Sequence, residues 1–154
     1  MNFNKITSDL NFQGCTIREL KVVNNIVSLS SDVVRKIGLD IVPSEISMNQ
    51  EKKYGKLLMK IVVELEESQK NVANIELVIE GAFSTSSSVD EKTFKELILI
   101  NGAASLYSIA RSKIENISAS TFLEGKIIIP MINIYDYYKE KKKEIEDTKT
   151  NNNY

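Results

Sequence analysis

Few side chains in this 154-residue sequence have the type and spacing to do chemistry. They are one thiol, Cys15, the carboxylates Glu64, Glu66 and Glu67, the pair Asp90 and Glu91, and the tyrosines Tyr135, Tyr137 and Tyr138. No histidine is present, and only one cysteine. That removes imidazole acid–base catalysis, Ser-His and Cys-His nucleophile pairs, and zinc sites that need several His or Cys ligands. Cys15 has only Arg18 nearby to draw out a thiolate, and a lone cysteine closes no internal disulfide. The carboxylates could hold Mg²⁺ or Ca²⁺ only if their oxygens converged, whereas acidic residues two apart on a strand form a solvated face. The six glycines are scattered, with no Gly-x-Gly-x-x-Gly and no phosphate-loop pattern. Tyrosines ahead of a terminal helix could stack on bases or aromatic clients, but more often close a core. The sequence therefore predicts no catalytic residue, no metal site and no cofactor, which points to a protein that is not an enzyme.

Charge narrows the partners. Twenty Lys+Arg against 21 Asp+Glu leave a net charge of −1, so there is no basic footprint for nucleic acid or an anionic membrane. The lysine block 139–143 is nearly cancelled by Glu140, Glu144, Glu146 and Asp147. A 42% hydrophobic, 27% charged composition is that of one globular domain, 1–154. No apolar run approaches the ~18–20 residues of a membrane-spanning helix, and Met1–Ile6 lacks the marks of a signal peptide. With a single cysteine, the expected compartment is the cytoplasm.

Periodicity then orders the elements. Residues 1–50 mix periods two and three, consistent with one or two short strands, and Pro43 suits an edge strand or a loop. In 53–88, Leu57, Met59, Ile61, Val63 and Leu65 alternate with more polar positions, and Ile75, Leu77, Ile79 and Phe83 do the same, predicting an antiparallel hairpin. Both strands turn carboxylates outward, so an acidic sheet face is expected. Ser88-Val89-Asp90-Glu91 fits a capping box, and two helices joined at the Asn101-Gly102 break are predicted over 89–118. A buried extended segment at 126–134, a solvated helix at 135–148 and a tail at 149–154 complete an α+β chain. Leu58, Val62 and Val78 put apolar groups on the nominally outer face, which favours an oligomeric binding protein.

From Lys53 to about residue 138 the features resemble the SecB family of export chaperones, in a divergent, SecB-like form. Glu80-Gly81-Ala82-Phe83-Ser84 is similar to the family's Gly-x-Phe strand end. Leu106, Tyr107, Ala110, Arg111 and Ile114 match its Leu-Phe-Pro-Tyr-Ala-Arg-(Glu/Ser)-x-Ile helix, although Ser108 stands in place of Pro and Ile109 in place of Tyr. Gly125 and Pro130-Met131-Ile132-Asn133-Ile134 resemble its glycine loop and Pro-to-Asn segment, with the spacing one residue longer.

The resemblance implies a four-stranded antiparallel sheet packed against helices and a homotetramer built as a dimer of dimers. It also implies ATP-independent holding of unfolded polypeptide clients in apolar grooves. It places Ile75, Leu77 and Ile79 on the face supporting the oligomer interface. Glu76, with Glu80 and Glu64, falls on the acidic face through which the family docks the SecA motor. Three functions follow as expectations: a holdase serving export or general holding, a dedicated chaperone of one partner such as the antitoxin of a toxin-antitoxin system, or a structural adaptor that kept the fold.

Overall fold

The computed structural model describes residues 9–44 and 46–151, with side chains as far as residue 144. Its strands are β1 (Asn11–Asn24), β2 (Val34–Pro43), β3 (Ser47–Met48), β4 (Lys52–Glu67) and β5 (Lys70–Ser86). Its helices are α1 (Glu91–Leu97), α2 (Ala103–Thr121) and α3 (Ile134–Asn151). The expected tail is helical as far as Asn151, and 152–154 lie outside the described residues, as do 1–8.

The sheet is antiparallel throughout, in the order β1-β5-β4-β2, with β3 paired to β4 beyond the end of β2. It therefore has five strands where four are expected, the fifth being only two residues long. Its centre is the β4–β5 hairpin, joined by Ser68 and Gln69 at φ 50° and 64°. Two successive positive-φ residues make the tight turn whose twist suits a hairpin. The residues before Gln50 form two long strands, of 14 and 10 residues. Pro43 ends an edge strand, where its missing N–H costs no ladder bond.

The strict alternation of β4 and β5 buries one side of the sheet. Leu57, Met59, Ile61, Val63 and Leu65, with Ile75, Leu77, Ile79 and Phe83, are at most 1% exposed beneath Phe94, Leu106, Ala110 and Ile114. This corrects the placing of Ile75, Leu77 and Ile79 at an oligomer interface: a side chain without accessible surface in one chain cannot touch a second.

The helical layer also departs from the sequence pattern. Asp90 is the N-cap instead of Ser88, its carboxylate accepting from Thr93 N–H at 2.9 Å. The Thr93 hydroxyl, and after it this backbone bond, hold the Asp90 carboxyl below its ordinary pKa. The helix does not break at Gly102: a π-helical turn over Ile98–Gly102 carries α1 directly into α2. Gly102 and Gly81 are needed for space. A Cβ at Gly102 would lie 3.0 Å from the Phe83 ring, and one at Gly81 3.1 Å from it. Gly102 and Gly81 mark a close helix–sheet approach, not a turn.

Candidate functional site

After α2 the chain passes Gly125, at φ +89°, and runs to Asn133 without helix or strand, back along α2 from Ser118 to Tyr107. Ile127 and Ile129 are buried, while Ile128 and Met131 between and beyond them are 61% and 79% exposed. Three side chains of α2 hold this crossover. Tyr107 Oη donates to Pro130 O at 2.7 Å, Arg111 Nε donates to Ile129 O at 2.8 Å, and Ser118 Oγ accepts from Ile127 N–H at 2.8 Å. Lys126 pairs with Glu115 beside them. The five helix-motif residues thus divide physically: Leu106, Ala110 and Ile114 form the fully buried stripe, and Tyr107 and Arg111 clamp the crossover backbone. Asn133 then caps α3, its Oδ1 accepting from Tyr135 N–H at 3.0 Å.

Between β2, the crossover and α3 lies a groove of about 490 Å³. Its floor is apolar, from Ile37, Leu39, Pro130 and Ile132, with Tyr107 below. Its rim is acidic: Asp136, Glu140 and Glu144 recur every four residues on the groove side of α3, against one Lys141, which pairs with Glu144 at 3.2 Å. Tyr137 and Tyr138, edge to face at 5.2 Å, lay α3 down on β2. Tyr137 Oη donates to Leu39 O at 3.5 Å. Burial raises the pKa of both phenols, most strongly at Tyr138, whose hydroxyl has no partner among the described residues. Tyr135 turns outward under Lys139, 4.6 Å from the ring centroid. Two of the three tyrosines therefore close the core and the third faces solvent.

The far side of the sheet carries Glu76, Glu80 and Glu64, but it is not an acidic face. Glu76 pairs with Lys60, Glu80 with Arg18 at 2.6 Å and Lys56 at 3.2 Å, and Glu66 with Lys36 at 2.5 Å. Cations from β1, β2 and β4 balance the carboxylates of the hairpin. Glu64 lies near Lys36 and adds to its raised pKa, after the larger effect of the Glu66 hydrogen bond.

A second apolar surface escapes the sequence reading. Phe12, Ile17, Leu20 and Val22 of β1 pair in register with Phe83, Ile79, Leu77 and Ile75, so they face the helical side. Among the described residues no helix covers them, and they are 38–45% exposed. Register shifts between Phe12 and Gly14 and between Ile17 and Glu19 break the alternation in sequence, which is why no period appears there. Cys15 is also exposed on this strand.

Among the described residues no group of three or more acidic or thiol side chains is placed to hold a metal ion, and no helix is long and apolar enough to cross a membrane. No family model and no curated protein matches the sequence significantly. Solved structures do match. The Mycobacterium tuberculosis Rv1957 SecB-like chaperone, in complex with a ChAD peptide from the Rv1956 HigA1 antitoxin, superposes with a TM-score of 0.65 over 80% of this chain and 90% of that one, at 8% identity. This likeness gives the chain a SecB-like fold.

Proposed function

We propose that the chain is a SecB-like holdase that binds unfolded polypeptide segments without ATP, cofactor or covalent chemistry. The observation that carries this is the apolar groove between β2 and the crossover, floored by aliphatic side chains beside an open sheet edge. Each ~100 Å² of client apolar surface buried there contributes about 2.5 kcal/mol before the cost of ordering the segment. The acidic rim on α3 favours segments with Lys or Arg next to their apolar residues and speeds encounter. The working unit is an oligomer, because the β1 stripe leaves contiguous apolar side chains open on an edge strand, which a second copy of the chain would cover. We place it in the cytoplasm, with no nucleic-acid partner.

A second reading, a dedicated chaperone of one antitoxin, is favoured by the antitoxin peptide carried by the structurally similar Rv1957. Motor docking through Glu76 and Glu80 has weaker support, since a basic partner would have to displace cations already paired with them. The test is light scattering of an aggregating unfolded substrate without ATP. Wild type should suppress aggregation, and Ile37→Glu, which puts a charge on the groove floor, should not, with its helix and strand content unchanged. Full suppression by Ile37→Glu, or none by wild type, would overturn the reading.

A further inference from the structure

Along an edge strand, alternate residues turn their N–H and C=O away from the sheet. Ser44 N–H, just past β2, donates to Lys56 O of β4 at 2.9 Å. Even-numbered positions therefore face β4, and Arg35, Ile37, Leu39 and Ile41 present their backbone groups to the open edge. Pro43, next in that series, has no N–H to lose. Among the described residues nothing pairs with the edge groups of Arg35 and Ile37. At the following two positions something does. The Tyr137 hydroxyl donates to Leu39 O at 3.5 Å, and the Ile41 N–H lies near enough to the same oxygen to oppose the burial that raises its pKa. A carbonyl and the amide two residues on are the two groups that a single residue of a strand added in parallel engages. One phenolic oxygen stands where that residue's backbone would be.

We propose that the free edge of β2 is the line along which a bound segment pairs as an added strand, and that Tyr137, carried on α3, competes with the segment for Leu39 and Ile41. This rests on the holdase reading above. The occupant is an extended polypeptide, since groups repeating every second residue along an edge are matched by another extended backbone. Side chains of that strand would enter the groove beside Ile37 and Leu39, which line its floor. Lifting α3 is made easier by Tyr138. Its buried, unpartnered hydroxyl penalises the docked helix and regains a water partner when the helix leaves. The two neighbouring tyrosines therefore pull in opposite directions: the hydroxyl of Tyr137 holds the helix on the edge, and that of Tyr138 loosens it.

The experiment uses the full chain and its Tyr137→Phe and Tyr138→Phe variants, each keeping the ring and losing one hydroxyl. The probe is reduced, carboxymethylated α-lactalbumin, a permanently unfolded polypeptide. Tyr137→Phe should bind it about fivefold more tightly than wild type and Tyr138→Phe severalfold more weakly, as expected for one hydroxyl contact each. Amide hydrogen exchange at Ile41 should be faster in free Tyr137→Phe than in free wild type, and slowed by the probe in both. Unchanged or weaker binding by Tyr137→Phe, or no protection of Ile41, while wild type binds, overturns this inference alone. Failure of wild type to bind the probe removes the holdase reading and this inference with it.

Discussion

The two edges of the sheet face the helical side with similar aliphatic residues, yet they are finished differently. The α1–α2 layer spans only β4 and β5, where every inward side chain is sealed. At the β2 edge, Ile37 and Leu39 lie under a crossover clamped to α2 and a helix resting on two tyrosines, and the incomplete cover leaves a groove. At the β1 edge no described element covers Phe12, Ile17, Leu20 and Val22. A cover that belongs to the chain and is lightly held makes a reversible site. An edge with no cover of its own needs a lasting partner. On the holdase reading proposed above, client exchange and assembly would fall on opposite edges of one sheet.

The register supplies the sharpest way to break this comparison, because Leu20 of β1 sits directly opposite Leu77 of β5. Leu77 is 0% exposed and Leu20 is 45% exposed. Leu77→Ala should cost about 2–5 kcal/mol of chain stability in urea unfolding, the range for a buried leucine whose cavity cannot collapse. Leu20→Glu should leave the folded chain within about 1 kcal/mol of wild type, yet lower the oligomer to a monomer in multi-angle light scattering. If Leu20→Glu leaves the assembly intact, the β1 edge is not where copies meet.

A smaller effect is expected at the crossover clamp, and it should be confined to the opposite edge. Arg111→Ala removes a charged donor from Ile129 O and should cost about 1.5–3 kcal/mol, while Tyr107→Phe, losing a neutral hydroxyl, should cost about 0.5–1.5 kcal/mol. Both should weaken client binding by loosening Pro130 at the groove floor, and neither should change the oligomer's mass. Loss of assembly in Arg111→Ala would mean that the two edges are coupled through α2 and do not act separately.

What could be read from the sequence follows the same division. The β4–β5 hairpin and the Leu106, Ala110 and Ile114 stripe stand out because each buries a single face at an undisturbed period. Strand β1 does not, because its two register shifts put Phe12, Ile17, Leu20 and Val22 on one side at unequal spacings of five, three and two. The outer face reads as acidic when the hairpin's carboxylates are viewed alone, whereas its net charge is set by Arg18 and Lys36 from the two outer strands and by Lys56 and Lys60 within the hairpin. The groove is the least legible feature. Ile37, Pro130 and Tyr137 are ordinary residues far apart in the chain, and only the crossover brings them together. The motif residues Tyr107 and Arg111 were visible, but not their purpose, since their partners are backbone carbonyls and carry no side-chain signature.

The smallest expected effect concerns how β1 is held on the outer face. Glu80 of β5 accepts from Arg18 of β1 and from Lys56 of β4, tying three strands together. The Arg18 hydrogen bond, and after it the Lys56 bond, hold the Glu80 carboxyl below its ordinary value of 4.5, outweighing the desolvation that opposes them. A carboxyl whose folded pKa is depressed contributes stability that is complete above its unfolded pKa and is lost as the pH falls through the folded one. The contribution should therefore be constant from pH 7 to about 5.5 and decline below 4.5. Solvent-exposed partners keep its size within about 0–1 kcal/mol. Glu80→Gln should flatten that portion of the acid limb in urea midpoints measured between pH 6 and 3, while leaving groove binding at neutral pH unchanged. Because Arg18 is the edge strand's own cation, the same titration followed by oligomer mass separates two origins of β1 stability. Dissociation of wild type in this window, absent in Glu80→Gln, would tie assembly to the ion triad. An unchanged mass would leave the apolar stripe as what joins the copies.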